Sequence, residues 1–229
     1  MIEAINLTKK YGRRTVLRGL SFTAEKGRIT CLIGINGAGK STLLKAIMGL
    51  TPVSGGDIRI DGSPIGKGLY EHVAFVPDTL TLPPSMTVAG SLRFMGDFYR
   101  SWNPKRAAEL LDFFRLNPSD RISSLSKGNA AKLNLLLGLS LDTDYLLMDE
   151  PFSGIDLFSR EQIASVFTSD LIEERGVLLT THEVGEIEHL IDKAVLLDRG
   201  EVRREFWCEE VRQNEGKSVI DVMREVYQS

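Results

Sequence analysis

Residues 34–42 read GINGAGKST. They restrict what the chain can fold into more than any other stretch. They match the pattern G-x-x-x-x-G-K-[ST], with Gly34, Gly39, Lys40 and Ser41 in the fixed positions. The apolar run Ile29–Ile33 precedes the match and the helix-like Leu43–Met48 follows it, so the glycines sit in a strand-to-helix turn, the context the pattern requires. Glycine lets backbone N–H groups turn inward into a concave anion site, and a helix starting near Gly39 aims its positive end at the same point. The backbone of Gly34, Asn36, Gly37, Ala38, Gly39 and Thr42 then cradles a nucleoside triphosphate. Lys40 adds a mobile charge for the β- and γ-phosphates, and the Ser41 hydroxyl is suited to Mg²⁺. By composition alone the bare pattern arises in roughly one chain in a hundred of this length, and the strand and helix around it lower that further.

The chain has 229 residues, enough for one large domain or a domain with a small subdomain, and a net charge of −3 with acids and bases mixed throughout. No polybasic block argues for nucleic acid or an anionic lipid surface. The two cysteines, Cys31 and Cys208, have neither metal-ligand nor redox spacing and read as reduced thiols. The start, MIEAINLTKKYG, carries two lysines and no apolar core, unlike a signal peptide. The most apolar helix-like stretch, Leu133–Leu141, is far shorter than the ~20 residues that span a bilayer, so any membrane role is expected from another chain.

Two β-like runs flank Lys9–Arg14, the second over Thr15–Thr23. Ile58–Ile60 with Asp61-Gly62 reads as a strand ending in a tight turn, and His72–Val76 as a short strand stopped by Pro77. From Pro83-Pro84 onward the pattern turns helical, over Val88–Tyr99, Pro104–Phe114 and Lys127–Leu141; Pro104 suits a first helical turn. Short continuous apolar runs then return at Tyr145–Met148, Val177–Thr180 and Ala194–Leu197, as expected of strands buried on both faces. Helical stretches at Leu157–Glu174 and Val184–Ile191 separate them, completing βαβ units, and Arg199-Gly200 turns a hairpin into Glu201–Phe206. The fold class expected is therefore α/β, a phosphate-loop core on a mostly parallel sheet with an inserted helical subdomain.

Three further clusters carry chemistry. YLLMDE at 145–150 delivers Asp149 to the mouth of a buried strand, where it can hold Mg²⁺, and Glu150 directly after it, where it can polarise an attacking water. His182 ends the run Thr180-Thr181-His182, at the carboxyl end of a parallel strand, where open α/β sheets build their sites. It could bond the γ-phosphate and steady the water-activating group. Ser126-Lys127-Gly128 precedes a long helix and is either a second anion site or a plain N-cap.

Together GINGAGKST, LSKGN, YLLMDEP, SGID and TTH, in that order, make the chain resemble the ATP-binding subunits of ABC transporters over nearly its whole length. The resemblance implies an antiparallel N-terminal β subdomain, an ATP-binding core of residues 1–78 and 143–206, a helical subdomain of 79–142 and a short extension of 207–229. It implies that Tyr11 stacks on adenine, that LSKGN replaces the usual LSGGQ, and that Ser153–Asp156 stands where the D-loop lies, with Asp156 among the nucleotide-binding residues. The resemblance further implies that two copies, or a copy and a closely related ATPase subunit, sandwich two ATP molecules head to tail. Lys40, Ser41 and Asp149 of one hold phosphates and Mg²⁺, Ser126 and Gly128 of the other close over the γ-phosphate, and Glu150 and His182 handle the water. A separate transmembrane permease subunit is expected to dock on the helical subdomain. The expected location is then the cytoplasm, peripheral on the inner face of the cell membrane.

Two departures stand out. Asp78 follows Pro77 where the family has Gln; it is expected to ligate Mg²⁺ but brings a negative charge beside a polyphosphate. Lys127 and Asn129 replace Gly and Gln of the signature, and Lys127 either adds a cation to the shared site or points to solvent. These departures resemble small bacterial exporters of antimicrobial or amphipathic peptides. Two other classes remain, a cytosolic ABC-type ATPase that remodels nucleic acid or ribosomes, and an assembly factor that binds ATP and hydrolyses it slowly or not at all.

Overall fold

The computed structural model describes residues 1–169, 172 and 174–228. Strands β1 (Ile2–Tyr11), β2 (Arg14–Ala24), β4 (Gly55–Ile60) and β5 (Ser63–Pro64) form an antiparallel sheet in the order β2-β1-β4-β5. A second sheet has the order β10-β9-β3-β8-β7-β6 and comprises β3 (Ile29–Ile33), β6 (Val73–Val76), β7 (Tyr145–Asp149), β8 (Gly176–Thr181), β9 (Lys193–Asp198) and β10 (Glu201–Trp207). All its pairings are parallel except β9 with β10, where Arg199 (φ 49°) and Gly200 (φ 84°) turn the hairpin.

The parallel sheet is buried on both faces, which is why its strands read as unbroken apolar runs. Alternation still sorts the side chains. Leu32, Tyr145, Leu147, Leu178, Val195 and Leu197 face the antiparallel sheet and helix α1 (Lys40–Ile47). Cys31, Leu146, Met148, Val177 and Leu196 face the opposite core, which takes in α5 (Lys127–Leu139) and α6 (Leu157–Val166). Tyr145 stitches the two sheets, its hydroxyl donating to Asp61 at 2.5 Å in the β4–β5 turn.

Between β6 and β7 run α3 (Val88–Phe98), α4 (Pro104–Phe113) and α5, with Pro104 in the first turn of α4. Helix α5 is buried along most of its length, and its C-terminal carbonyls are closed by two guanidinium groups. Arg106 and Arg175 both donate to Leu139 O, and Arg175 also to Leu141 O at 2.6 Å. Burial, with the Arg106 charge beside it, pushes Arg175 down to about 10, so it stays cationic at neutral pH, where a helix C-terminus favours it. Both cysteines are free and buried; burial raises both thiols, Cys208 to about 12, in keeping with inert reduced residues.

Four elements differ from the sequence expectation. Leu69–His72 forms a short helix, α2, before β6. Helix α6 stops at Val166, short of Glu174, because the Thr168 and Ser169 hydroxyls bond back to the carbonyls of Ser165 and Val166 and compete with the helix ladder; residues 170, 171 and 173 of that stretch lie outside the described residues. Val184–Ile191 holds two 3₁₀ turns, Val184–Glu186 and Glu188–Leu190, rather than one α-helix. The extension after β10 folds into α7 (Cys208–Glu215) and α8 (Val219–Gln228). No helix among the described residues is long and apolar enough to cross a membrane.

Helix α5 packs tightly on the sheet at Gly138, where an added Cβ would lie 2.4 Å from Val76 Cγ2. Valine is stiff at χ1 and cannot swing aside. Gly138→Ala is expected to cost about 1–3 kcal/mol of unfolding free energy in a urea titration, and Val76→Ala in the same chain to return part of it.

Candidate functional site

The carboxyl ends of β3, β7 and β8 lie side by side, and the site grows from them. After Ile33 the chain turns through Gly34, which is packed so tightly on β9 that a Cβ would lie 2.6 Å from Leu197 O. Gly37 (φ 86°) and Gly39 (φ 108°) take left-handed conformations, and α1 begins at Lys40. Lys40 is buried; its Nζ donates to Gly34 O at 2.7 Å and lies 3.2 Å from Glu150 Oε1.

At the end of β7, Asp149 is 2% exposed. A buried carboxylate is tolerated only when it is hydrogen-bonded. Here Oδ1 accepts from Ser41 Oγ at 3.0 Å and from Thr180 Oγ1 at 2.7 Å. The same Thr180 hydroxyl accepts from Glu150 N at 2.9 Å. Glu150 sits at φ 48°, a conformation disfavoured for any residue but glycine, and its surroundings hold it there. His182 fixes its other oxygen, with Nδ1 2.8 Å and backbone N 3.3 Å from Oε2. The two oxygens of Glu150 thus have separate partners, Lys40 on Oε1 and His182 on Oε2.

Tyr11, Asn36, Gly37, Ala38, Gly39, Lys40, Ser41, Thr42, Asp78 and Glu150 line one cavity of about 590 Å³. The Tyr11 ring is half exposed with Lys9 Nζ 4.6 Å from its centre, so a flat apolar face is available at the rim. The donor set suits Mg²⁺: two hard oxygens, Ser41 Oγ and Asp149 Oδ1, stand together 3.0 Å apart, next to Glu150, whose carboxylate pairs with the buried Lys40 ammonium. Mg²⁺ takes few protein ligands and completes its shell with phosphates and water, so two protein oxygens are enough to anchor it. Asp78 lines the cavity, but its carboxylate meets the Thr79 hydroxyl at 3.4 Å, while the Ser41 hydroxyl goes to Asp149.

Ser126, Gly128 and Asp156 gather elsewhere. Ser126 caps α5, its Oγ accepting from Asn129 N at 3.2 Å. Asp156 caps α6 through Ser159 N at 3.0 Å. Gly128 joins the two helix starts; a Cβ there would lie 2.9 Å from Asp156 Oδ2. Lys127 is exposed, its Nζ 3.8 Å from the Cβ position of Gly154.

A family model described as ABC transporter matches residues 17–153. The chain belongs to the ABC transporter family. It is 36% identical over 212 residues to the linearmycin resistance ATP-binding protein LnrL of Bacillus subtilis, covering 88% of this chain and 68% of that protein. It is also 36% identical over 207 residues to the Nod factor export ATP-binding protein I of Rhizobium meliloti, covering 87% and 62%. The chain thus spans about two thirds of the length of these relatives. A solved ATP-binding subunit of an ABC transporter superposes with a TM-score of 0.88 at 28% identity, covering 99% of both chains. A dimeric bacterial cassette superposes at 0.80 with 23% identity, a likeness of fold. As a cassette of this family the chain is an ATP-binding ATPase.

Thr180 was visible in the sequence only as part of an apolar run, yet it ties both acidic residues together. Its replacement by valine, which keeps the shape, leaves Asp149 short of a donor. Thr180→Val is expected to lower the steady-state ATPase turnover at least about tenfold and unfolding stability by about 1–3 kcal/mol, read by phosphate release and a urea melt.

Proposed function

We propose that the chain is the ATP-hydrolysing subunit of an ABC exporter. It works as a head-to-tail dimer in which each phosphate loop is closed by the Ser126–Gly128 turn of a second copy. The observation that carries this reading is the division of the nucleotide-binding features into two sets. The cavity at the phosphate loop holds Lys40, Ser41 and Glu150. The starts of α5 and α6, pressed together at Gly128, lie outside it. Two converging helix N-termini favour an anion, and a second copy's γ-phosphate supplies one.

In this reading Tyr11 stacks on adenine, and Lys40 with the α1 N-terminus holds the β- and γ-phosphates. Ser41 and Asp149 hold Mg²⁺, which would neutralise phosphate charge and orient the γ-phosphate. Asp78 is proposed as a contributor to the same metal from the cavity rim. The phosphates compete with Glu150 for Lys40, and Oε1 is thereby released to a water while His182 keeps Oε2 in place. Glu150 takes the water's proton as attack begins.

A groove of about 640 Å³ runs between β6 and the helical insertion, lined by residues including Tyr70, Leu80, Leu82, Phe94 and Tyr99. We assign it to the transmembrane permease subunit. Asp78 lines both this groove and the phosphate cavity, so permease and nucleotide meet at one residue. The subunit is then peripheral on the inner face of the cell membrane. Export is supported by the relatives named for Nod factor export and linearmycin resistance. The cargo proposed is an antimicrobial or amphipathic compound, and its peptide character rests on Asp78, Lys127 and Asn129 alone.

Glu150→Gln removes the proton acceptor and keeps the shape. It is expected to run at twice the monomer mass in size-exclusion chromatography with ATP and Mg²⁺, and as a monomer with ADP. A monomer under both conditions rejects the sandwich. Lys40→Ala is expected to abolish ATP binding in calorimetry; wild-type affinity rejects the phosphate-loop assignment.

A further inference from the structure

Helix α8 lies outside every motif, yet it reaches the base of the phosphate loop. Its start is well fixed. Ser218 Oγ accepts from Asp221 N at 3.1 Å while Asp221 Oδ2 accepts from Ser218 N at 3.0 Å, a reciprocal capping box. Val219 and Val222 are buried, and Met223 and Tyr227 pack against the core on the α5 and α6 side of the sheet.

Two contacts tie the start of α8 to the turn that follows His182. Val219 N donates to Glu188 Oε1 at 2.8 Å, and Ile220 Cδ1 would lie 3.2 Å from a Cβ at Gly185. At the other end Tyr227 Oη donates to Leu197 O at 2.9 Å and to Ile33 O at 3.1 Å, one proton shared between two carbonyls. Ile33 is the last residue of β3, and its carbonyl belongs to the peptide group that carries Gly34 N–H. Leu197 O is the atom against which Gly34 is packed. The paired register of β3 and β9 runs only to Ile33 opposite Leu196, so the hydroxyl takes over where the ladder ends.

We infer that Tyr227 is a positioning residue for the phosphate loop: its hydroxyl fixes the peptide that opens the loop, and α8 links that peptide to the turn behind His182. The inference rests on the proposed nucleotide site and adds to it a support that no nucleotide atom touches. A loop that must present several N–H groups to one polyphosphate loses affinity when its first peptide can rotate, since ordering it is then charged against binding. A donor on the Ile33 carbonyl also polarises the Gly34 N–H on the far side of the same peptide. The phenol suits this task. Burial, with the Asp198 charge nearby, pushes it up to about 12, so the proton stays on the hydroxyl across the working pH range.

The test compares Tyr227→Phe, which removes only the hydroxyl, with Tyr227→Ala, which removes the ring as well, both in the full chain. In calorimetry with a non-hydrolysable ATP analogue and Mg²⁺, Tyr227→Phe is expected to raise Kd about three- to tenfold, the effect of one neutral hydrogen bond. The turnover number at saturating ATP should stay within about twofold, and amides of residues 31–42 should exchange faster in hydrogen-exchange mass spectrometry. If Tyr227→Phe binds the analogue as the unmodified chain does, while Tyr227→Ala merely melts lower, the helix is packing alone and the inference is overturned. Lys40→Ala in the same titration separates the two readings. Wild-type binding by that variant rejects the phosphate-loop assignment itself, whereas its failure to bind beside an unaltered Tyr227→Phe rejects only the role of Tyr227.

Discussion

The rest of the site hangs on one buried carboxylate. Asp149 sits at the end of β7 with almost no exposure, and the carboxylate is accommodated there by the donors Ser41 and Thr180. Those donors come from the start of α1 and the end of β8, so satisfying one charge draws three chain segments to a common point. The alternative, an unpaired buried carboxylate, costs several kcal/mol. Glu150 inherits its place from the same arrangement: its N–H goes to Thr180, and the positive φ that results aims its side chain at Lys40 and His182. Geometry that would be strained in isolation is held by the charge beside it.

Much of this was legible in the residues. Strands buried on both faces leave continuous apolar runs, and the runs at 145–148, 177–180 and 194–197 fall inside β7, β8 and β9. Glycines 34, 37 and 39 announce a turn that only glycine can make, and two of them do take positive φ. Pro104 marks the first turn of α4, and Asp61-Gly62 and Arg199-Gly200 mark turns with left-handed residues at both positions. In each case a residue has few conformations open to it, so its identity limits the backbone directly.

What stayed hidden depends on who meets whom in space. Nothing in Thr180-Thr181 says that the first hydroxyl bridges two acidic residues 31 and 30 positions away in the chain. Nothing in VIDVMREVYQ says that its tyrosine ends beneath Gly34, although the spacing of Val219, Val222 and Val226 on one face was a readable sign of an amphipathic helix. Helix ends were misjudged for a related reason. The stretch 157–174 has a helical pattern, but two hydroxyls at 168 and 169 offer the backbone an alternative partner and the helix yields to it at Val166.

Hydrogen bonds and close packing also make the site less modular than its motifs suggest. The phosphate loop is braced from three directions: Lys40 grips Gly34 O from inside, Leu197 O presses on Gly34 from β9, and Gly200 N donates to Ala38 O at 3.1 Å from the hairpin tip. The hairpin belongs to the antiparallel edge of the main sheet, whose other strand, β10, leads straight into α7 and then α8. The chain that passes Ala38 at the hairpin therefore returns, after β10 and two helices, to put Tyr227 on Ile33 O. The loop is contacted at Ile33 O and at Ala38 O by a segment with no motif of its own, so residues after 198 add hydrogen bonds to a turn that its glycines define.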